Sequence, residues 1–455
     1  MLEVRALFST LLWPIALAPL FAQPASDQDY HVYTDAPRLL LTHQRLRLLQ
    51  RERDRQSLRW QQFDALISGG APMPEPAFAW ALDSQVARDP AAGRKAIDWA
   101  LDPSHADLRQ LALVFDWCAP LMNKELADRL DARIEQMLRA TPAPDDIRAH
   151  SARVLAAIAI ADRLPDHAES TLRPELESWW RDAIVKQIQA GHALARDQIY
   201  WLYEMLHAVR DNLKIDLRES ELDYFKSLPE DHLESHYPAA YQAPENDFRI
   251  PVYVRDGPPD LADAAMSRAA ELSMVAYDPN APEIQYLQGW LMQDRFMMRG
   301  ALGAPYEFLW ANPYQPGLSY FQTPLIFHDA QTGHIFARTS WDDDATWVGY
   351  FEGHLQLFKD GQVQTLRAGA SVTPVHIGDA LLLSADHPDA ARFHVDSEAV
   401  FVMNLTARAG YDIEVDDEEL WDGETDAGGT LVLSLPEGTN AGARVKLHNA
   451  VGAHR

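Results

Sequence analysis

HDAQTGHIFARTSWDDDATWVGYFEGHLQLFKDG, residues 328–361, is the stretch in which the periodicity of the sequence changes. Before it, apolar residues recur at helical spacing. Within it they alternate with a period of two, which predicts β-strands. The alternating sets on the first strand are Ile335, Ala337, Thr339 and Trp341, and His334, Phe336, Arg338 and Ser340. A polar turn at 342–344 leads to a second strand at 345–351, and a third strand at 355–358 ends at the turn 360–361. We therefore predict that a helical half meets a β half at this hairpin, which lines any cleft between them.

The chain before the hairpin is predicted to be helical from Pro37 to about residue 300, with Pro, Gly and Asp breaks. The predicted helices are 39–59, 77–87, 91–101, 105–122, 123–140, 147–163, 168–191, 196–214, 219–228, 261–278 and 282–300. The first has a basic outer face, formed by Arg45, Arg47, Arg51, Arg53, Arg55 and Arg59, with Glu52 and Asp54 interleaved. Such a face either contacts an anion or is simply solvated.

Two segments interrupt the helical pattern. Residues 233–260, LESHYPAAYQAPENDFRIPVYVRDGPPD, are rich in Pro, Tyr and charge, and we predict a long structured loop that is too polar for the core. Loops of this kind often carry function. Residues 303–321, GAPYEFLWANPYQPGLSYF, are predicted to be an aromatic, proline-rich connector to the β half. We therefore divide the chain into a helical domain, 30–322, and a β domain, 323–455.

Short alternating runs recur throughout the β domain, and many end at Asp-Gly, Gly-Asp or Gly-Gly. The predicted strands are 334–341, 345–352, 354–359, 362–367, 372–377, 379–384, 391–395, 398–406, 411–416, 430–435 and 443–448. This spacing predicts an antiparallel β-sandwich. The acidic run 412–426 suggests either calcium binding or the edge of a strand, and it lacks the spacing of a known calcium loop.

The charge of the chain excludes one class of partner. The net charge is −27 and the isoelectric point is near 4.9. Nucleic-acid binding requires clustered Lys and Arg, so we expect no nucleic-acid partner. A polyanionic substrate is also repelled at long range, unless a local basic cleft overrides the overall charge.

The first 22 residues predict an export signal. Arg5 precedes an apolar run at 6–21, and Ala22 provides a small residue for cleavage. The alternative is a buried N-terminal helix. No later apolar run is long enough to span a membrane. We therefore expect a secreted or periplasmic protein without a membrane span.

Two stretches resemble the heparinase II/III-like polysaccharide lyases, a family with an α/α-toroid followed by a β-sandwich. FARTSWDDDATWVGYF, 336–351, is similar to an Arg-x-x-Trp-Asp-x-Asp-Ala pattern at the family's entry into the sandwich. ENDFRIPVYVRDGPPD, 245–260, is similar to the loop that closes the toroid. The resemblance implies an α/α-toroid-like helical array followed by an antiparallel β-sandwich, acting on a polysaccharide or oligosaccharide.

Lyases of this family cleave uronate polysaccharides by β-elimination. A neutralising group binds the uronate carboxylate, a base removes the C5 proton and an acid protonates the leaving oxygen. The family's Asn-Asn-His falls on residues 148–150, so His150 is retained and Arg148 is a candidate carboxylate partner. Tyr200 matches the catalytic tyrosine. A surface role for His150 and a core role for Tyr200 are the alternatives.

The resemblance and the aromatic segments suggest further substrate-binding residues. These are Tyr203 and His207 on the helix of Tyr200, Arg249 and Tyr253 on the loop, Trp310 on the connector, and Arg338 and His354 on the hairpin. Tyr203 and His207 lie on the same helix face as Tyr200. Core packing is the alternative for the aromatic residues.

The chain departs from the family at the hairpin. The family's His-x-His-x-x-Asp-like block is missing between Phe351 and Leu355, and only His354 lies beside that position. One histidine is too few for a zinc site, so we expect neither a metal nor another cofactor.

Three functions therefore remain open. The first is a secreted lyase with His150 and Tyr200 at its centre. The second is a non-catalytic carbohydrate-binding relative that keeps the scaffold. The third is a hydrolase that uses two carboxylates, for which Asp145, Asp146, Glu204 and Asp256 are candidates.

Overall fold

The computed structural model describes residues 30–244, 248–294, 298–366 and 374–448. The predicted export signal lies outside these ranges. In the part of the chain that they cover, no helix is long and apolar enough to cross a bilayer.

The N-terminal half is helical. Its helices are α1 His43–Asp54, α2 Leu58–Ser68, α3 Pro76–Ala87, α4 Pro90–Leu101, α5 Leu108–Trp117, α6 Lys124–Leu138, α7 Ile147–Ile160, α8 Pro165–Arg173, α9 Lys186–Gln189, α10 Ile199–Leu213, α11 Leu222–Glu234, α12 Leu261–Tyr277, α13 Pro282–Gln293 and α14 Gly303–Trp310. A π-helical segment, Pro174–Val185, joins α8 to α9, and the last helical turn is Tyr320–Gln322.

Six of these helices form the inner wall of a ring. Each member of the series α3, α5, α7, α10, α12 and α14 packs against the next, and α2 packs between α14 and α3 to close the series. The inner helices are buried on nearly every side, and every residue of α14 is buried. Helices α4, α6, α8, α11 and α13 pack outside this wall. The structure thus confirms the predicted toroid-like helical array.

Several predicted helix boundaries were wrong for local reasons. The helix predicted at 39–59 is two helices, because Ser57 caps α2 by accepting a hydrogen bond from the Trp60 backbone N–H. The helix predicted to stop at residue 228 continues through Pro229 to Glu234. The connector predicted at 303–321 begins with α14, whose Pro305 lies in the first turn, where a missing N–H costs no helical hydrogen bond.

The C-terminal half consists of strands. They are β1 Ile326–Asp329, β2 His334–Arg338, β3 Trp347–Phe351, β4 His354–Lys359, β5 Gln362–Leu366, β6 Val375–Ile377, β7 Ala380–Ser384, β8 Ala390–Val395, β9 Ala399–Met403, β10 Gly410–Val415, β11 Glu418–Glu424, β12 Leu431–Ser434 and β13 Ala441–Leu447. The acidic run 412–426 contributes to β10 and β11, which pair as an antiparallel hairpin.

These strands form three sheets, with the orders β1-β2-β3-β4-β5, β12-β9-β7-β6 and β11-β10-β13-β8. All pairs are antiparallel except β7 and β9. The second sheet lies between the other two, so β7 and β9 are buried on both faces and are nearly continuous apolar runs. The predicted sandwich is therefore present and has a third layer.

Strand β2 joins the two halves of the molecule. Its residues Ile335 and Ala337 pack toward the second sheet, whereas Phe336 packs with Tyr237 and Ile250 of the helical half. The alternation read from the sequence therefore separates two buried faces. Since Tyr237 and Ile250 are almost completely buried, the prediction that 233–260 is too polar for the core was wrong.

Buried hydrogen bonds fix the two halves together. The Arg338 guanidinium donates to the Glu234 carboxylate at 2.9 Å and to the Glu234 carbonyl at 2.7 Å, and the Trp347 indole donates to that carbonyl at 2.9 Å. The Tyr237 hydroxyl donates to Gln356 at 2.8 Å. These contacts hold the first sheet against the end of α11, and they place β2 and β3 beside a cleft.

Candidate functional site

A cleft of about 330 Å³ lies between the helical half and the first sheet, and we call it the interdomain cleft. Its helical wall is formed by the start of α10, the end of α11, residues 250–255 and the start of α12. Its β wall comes from the β1–β2 turn, β2 and the end of β3. The predicted hairpin therefore does line the space between the halves.

A histidine–aspartate pair crosses this cleft. His334 on β2 and Asp231 on α11 are joined by a hydrogen bond of 2.7 Å between the histidine Nδ1 and the aspartate Oδ2. A carboxylate only accepts hydrogen bonds, so Nδ1 carries the hydrogen. Nε2 of His334 makes no hydrogen bond to any residue of the described ranges. The arrangement fixes the ring and leaves Nε2 available for proton transfer.

The two groups shift each other's pKa. Burial alone lowers the pKa of His334, but the negative charge and hydrogen bond of Asp231, with smaller contributions from Glu352 and Asp329, raise it above its ordinary value. Burial raises the pKa of Asp231, but the charge and hydrogen bond of His334, with smaller contributions from His232 and Arg196, lower it below its ordinary value. Asp231 therefore stays ionised and makes His334 a stronger base than a free imidazole.

A tyrosine lines the same cleft. Tyr253 lies on the loop, and its hydroxyl has no hydrogen-bond partner among the residues that the structure describes. Partial burial, followed by the neighbouring Tyr241, raises the pKa of Tyr253. Its phenol is therefore protonated at neutral pH and able to donate a proton to a bound molecule.

Arg196 supplies a buried positive charge on the helical wall. Its guanidinium donates to Ser235 at 2.6 Å and to Ser267 at 2.8 Å, and it pairs with the Glu271 carboxylate at 3.3 Å. About a fifth of its side chain remains exposed. Glu271 is fully buried and also contacts His236 at 3.2 Å, so the arginine is held in one position.

A buried ion network in the ring connects two of the predicted site residues, Tyr200 and Arg148. The Tyr200 hydroxyl donates to Glu204 at 2.8 Å, and Arg109 binds both oxygens of Glu204 at 2.6 and 2.7 Å. Arg109 also contacts Glu75 at 3.2 Å, and half-exposed Arg148 contacts Glu75 at 3.4 Å. Tyr200 has no exposed surface, and its hydroxyl also accepts a hydrogen bond from the Trp310 indole.

His150 lies on the other side of α7 from this network. Its Nδ1 contacts Glu175 at 2.5 Å, its Nε2 contacts the Ala143 carbonyl at 3.1 Å, and its ring stacks on Trp179 with centroids 4.2 Å apart. His150 and Arg148 are two positions apart on the helix, which places their side chains on opposite faces. The structure therefore does not bring His150 to Tyr200.

The other predicted residues of the ring are buried. Tyr203 and His207 are each 1% exposed, and Trp310 is 2% exposed. His207 contacts the Ser273 carbonyl at 2.9 Å, and burial holds its pKa well below the ordinary value, so it is neutral. Trp310 lies between His207 and Arg45, whose guanidinium carbon is 4.0 Å from the indole centroid.

The remaining predicted binding residues occupy three different positions. Arg338 is 1% exposed and pairs with Glu234. Arg249 pairs with Asp294 at 2.8 Å and with Asp343 at 2.5 Å. His354 is exposed beside the turn that follows β3. Among the predicted substrate-binding residues, Tyr253 is the one that lines the interdomain cleft.

The carboxylates considered for a hydrolase do not share a site. Glu204 is completely buried and paired with Arg109, whereas Asp145, Asp146 and Asp256 are exposed. Asp146 caps α7 by accepting a hydrogen bond from the Ala149 backbone N–H.

Within the described ranges, one group offers three potential metal ligands. Asp412, Asp422 and His448 have ligand atoms within 4.8 Å of one another, and they are mostly exposed. The Nε2 atom of His448 already pairs with both carboxylates, at 2.7 and 3.4 Å. We assign no metal to this group.

Sequence reasoning missed the pair of His334 and Asp231. The two residues are 103 positions apart, and neither lies in a motif. The signal present in the sequence was the alternation of β2, which puts His334 on the same face as Phe336 and Arg338. In the structure, that face of β2 contacts α11.

Comparison with known proteins gives a weak likeness in fold alone. No protein-family model matches the sequence, and no curated protein matches it. The crystal structure of heparan sulfate lyase HepC from Pedobacter heparinus is similar with a TM-score of 0.38 and 12% identity, covering 83% of this chain and 76% of that chain. A glycoside hydrolase is similar with a TM-score of 0.31 and 8% identity, covering 82% and 71%. At these TM-scores the likeness carries no weight for activity.

Proposed function

We propose that the protein is an exported polysaccharide lyase that cleaves a uronate-containing chain by β-elimination in the interdomain cleft. The observation that carries the proposal is the pair formed by His334 and Asp231, with Nε2 of His334 available in the cleft. The resemblance of the hairpin and loop to heparinase II/III-like lyases supports the same reaction class. The chemistry is assigned to residues of the cleft, whereas His150 and Tyr200 are engaged elsewhere.

His334 is the proposed base. Its Nε2 takes the proton from C5 of the uronate, the C4–O bond breaks, and a double bond forms between C4 and C5. Tyr253 donates its phenolic proton to the leaving oxygen, and the imidazolium then returns a proton to the phenolate. The elimination consumes no other reactant. One new chain end carries the double bond between C4 and C5, and the other carries the protonated leaving oxygen. A general base and a general acid each contribute about 10²–10⁴ in rate.

Arg196 is the proposed partner of the uronate carboxylate. Its positive charge stabilises the carbanion that develops when C5 loses its proton. The N-terminal end of α10 also faces the cleft and has no side-chain cap, so the positive end of its dipole favours an anion. These groups oppose the repulsion that the strongly negative chain exerts on an acidic sugar.

Hydrolysis of a neutral sugar is the second candidate, because carboxylates cluster at the helical rim of the cleft. Asp263 keeps an exposed face, yet partial burial, followed by the neighbouring Asp260 and Asp197, raises its pKa. A carboxyl group with a raised pKa beside ionised carboxylates is the pattern of a general acid in glycoside hydrolysis.

One assay separates the two reactions. Purified protein is incubated with a panel of uronate and neutral polysaccharides, and both ultraviolet absorbance and new reducing ends are followed. A lyase produces reducing ends together with the absorbance of the unsaturated sugar. A hydrolase produces reducing ends without that absorbance. If neither signal appears with any member of the panel, catalysis in the cleft is excluded for those sugars.

A further inference from the structure

A second and larger cavity, of about 930 Å³, lies at the opposite end of the helical ring. It is bounded by residues 33–38, α1, the C-terminal end of α10 and the segment that follows α14. Helix α10 runs from the interdomain cleft to this cavity, and its 15 residues span about 22 Å. We call it the basic cavity, for the charges described next.

The lining of the basic cavity is positive in a strongly negative protein. Six cationic side chains line it, namely Arg38, Arg45, Arg47, Arg51, Arg210 and Lys214, against the two carboxylates of Asp35 and Asp211. The lining therefore has four more cations than carboxylates, whereas the whole chain carries a net charge of −27. Such a local reversal of charge attracts anions to the cavity.

Four of these cations have no carboxylate partner among the described residues. Arg38 pairs with Asp116 and Asp162, and Arg210 pairs with Asp211. The unpaired cations are Arg45, Arg47, Arg51 and Lys214. Guanidinium groups with free donors bind carboxylates and sulfates through two parallel hydrogen bonds.

Arg45 is the most buried of the unpaired cations. Burial, opposed in part by Asp211 and reinforced by Arg210, lowers its pKa to about 10. Its guanidinium lies over the Trp310 ring and reaches the Leu309 carbonyl at 3.5 Å, and the residue lines the cavity. A half-buried guanidinium without a paired carboxylate gains from a bound anion.

Aromatic rings accompany the cations. Tyr314 is 46% exposed and lies 5.6 Å from the Arg51 guanidinium carbon, and Tyr33 is 61% exposed at the other edge. Exposed rings beside charged groups offer stacking surfaces for the apolar faces of sugars. The volume is at the upper end of the range of about 300–1,000 Å³ for ligand sites, so it accommodates more than a single ion.

We propose that the basic cavity is a binding site for an acidic oligosaccharide, whose carboxylate or sulfate groups pair with Arg45 and Arg51 while a sugar ring stacks on Tyr314. The site is distinct from the interdomain cleft and does not depend on the chemistry proposed there. Since α1 carries Arg45, Leu48 and Arg51 along the cavity, part of the basic face predicted from the sequence lines this cavity.

The test is calorimetric titration with four probes: a uronate hexasaccharide, a heparan sulfate hexasaccharide, a neutral hexasaccharide and sodium sulfate. We expect at least one acidic hexasaccharide to bind, and the neutral one and sulfate alone to bind far more weakly. The two acidic arms distinguish carboxylate from sulfate recognition. Equal binding of the neutral sugar, or of sulfate alone, overturns the proposal.

Variants locate the binding. The double substitution Arg45→Gln/Arg51→Gln is expected to weaken it about tenfold or more for each lost charged contact. Arg53→Gln is the matched control, since Arg53 is on the same helix, pairs with Asp54 and does not line the cavity. Unchanged affinity in the double variant overturns the proposal. If Arg45→Gln unfolds the protein, Arg51→Gln/Lys214→Gln replaces it, because both side chains are exposed.

The outcome is separable from that of the proposed lyase activity. His334→Gln is expected to keep full affinity at the basic cavity, and Arg51→Gln is expected to keep the rate on a short substrate. Binding without cleavage by the wild type would contradict the lyase proposal alone. Cleavage by the wild type, together with unchanged hexasaccharide affinity in the basic-cavity variants, would contradict the binding proposal alone.

Discussion

At the scale of single residues, the proposed chemistry depends on one nitrogen atom, Nε2 of His334. Asp231 fixes the opposite nitrogen as a hydrogen-bond donor, so the lone pair is on Nε2, and His334 lines the cleft. The same carboxylate raises the pKa of the ring. Orientation and basicity therefore come from one contact, and both can be measured.

The pH dependence of the rate follows from this contact. The base must be neutral, so kcat/KM is expected to rise with pH through an inflection above 6.5, the ordinary pKa of histidine. In Asp231→Asn the raising charge is lost, and the inflection is expected to move to lower pH. A pH–rate profile of both proteins checks this. An inflection that stays in place would show that His334 is not the titrating base.

Tyr253→Phe removes the proposed acid and little else. The hydroxyl of Tyr253 has no hydrogen-bond partner among the described residues, so the fold is expected to be unchanged. We expect kcat to fall by about 10²–10⁴ with a much smaller change in KM. Tyr286→Phe is the control, because Tyr286 is also half-buried and lines neither cavity. A wild-type rate in Tyr253→Phe would remove this residue from the mechanism.

Tyr200→Phe tests a structural role. The hydroxyl donates to Glu204 and accepts from the Trp310 indole, and the residue has no exposed surface. Its loss leaves a buried indole N–H without a partner, which costs about 1–3 kcal/mol. We expect a lower free energy of unfolding by urea and nearly full activity of the folded protein. Loss of activity at full stability would instead return Tyr200 to the chemistry.

The residue pattern predicts which face of an element a side chain lies on, but it does not predict which residue of another element that side chain contacts. Alternation along β2 placed His334 and Arg338 on one face, yet the partners Asp231 and Glu234 lie on α11, about a hundred residues earlier. Tyr253 was found because its loop is unusual in composition. Tyr203 and His207 were interpreted as cleft residues because a helical period does not tell an inner face from an outer one. Trp310 was interpreted so because its segment was predicted to be an aromatic connector.

At the scale of elements, the contact of α11 with β2 builds the cleft. Two ion pairs begin on one face of α11, three residues apart. Asp231 pairs with His334, and Glu234 pairs with Arg338. Each joins the helical half to the β half. The same contact therefore determines both the docking of the halves and the geometry of the proposed catalytic pair.

The pH dependence of stability tests this docking. The pKa of His334 is raised on folding, so its contribution is complete below pH 6.5 and is lost as the pH rises through the raised value. The lowered pKa of Asp231 keeps the pair intact in mild acid. We expect Asp231→Asn to lower the free energy of unfolding by about 3 kcal/mol near pH 6 and by clearly less at pH 9.

Urea unfolding at the two pH values gives the comparison. Asp396→Asn is the control, because Asp396 pairs with His376 at 2.8 Å on the surface, where such a pair contributes little. An equal loss at pH 6 and pH 9 would show that the charge on His334 does not stabilise the docking.

The sequence predicted most elements and failed where tertiary contacts outweigh local signals. The hairpin of β2, β3 and β4 was predicted from alternation and turn residues. Helix α14 was missed because its Pro305 and aromatic residues suggested a connector, whereas burial on all sides stabilises it as a helix. Helix α11 continues through Pro229 for the same reason.

At the scale of the whole molecule, two cavities of different charge lie at opposite ends of one helical ring. Carboxylates border the interdomain cleft, whereas cations line the basic cavity. Composition gave the net charge and could not show this separation, because the residues of the basic cavity come from four distant parts of the chain. The proposed activity and the proposed binding site are therefore physically independent.

The central claim is that each half of the molecule supplies one member of the catalytic pair. A double-mutant cycle on the rate of unsaturated-sugar formation, with His334→Gln, Asp231→Asn and the double variant, tests it most directly. His328→Gln is the control, since His328 also pairs with an aspartate, Asp426, at 2.7 Å but does not line the cleft. The account predicts a loss of about 10²–10⁴ for His334→Gln and no further loss in the double variant. A wild-type rate for His334→Gln, or fully additive losses, would contradict it.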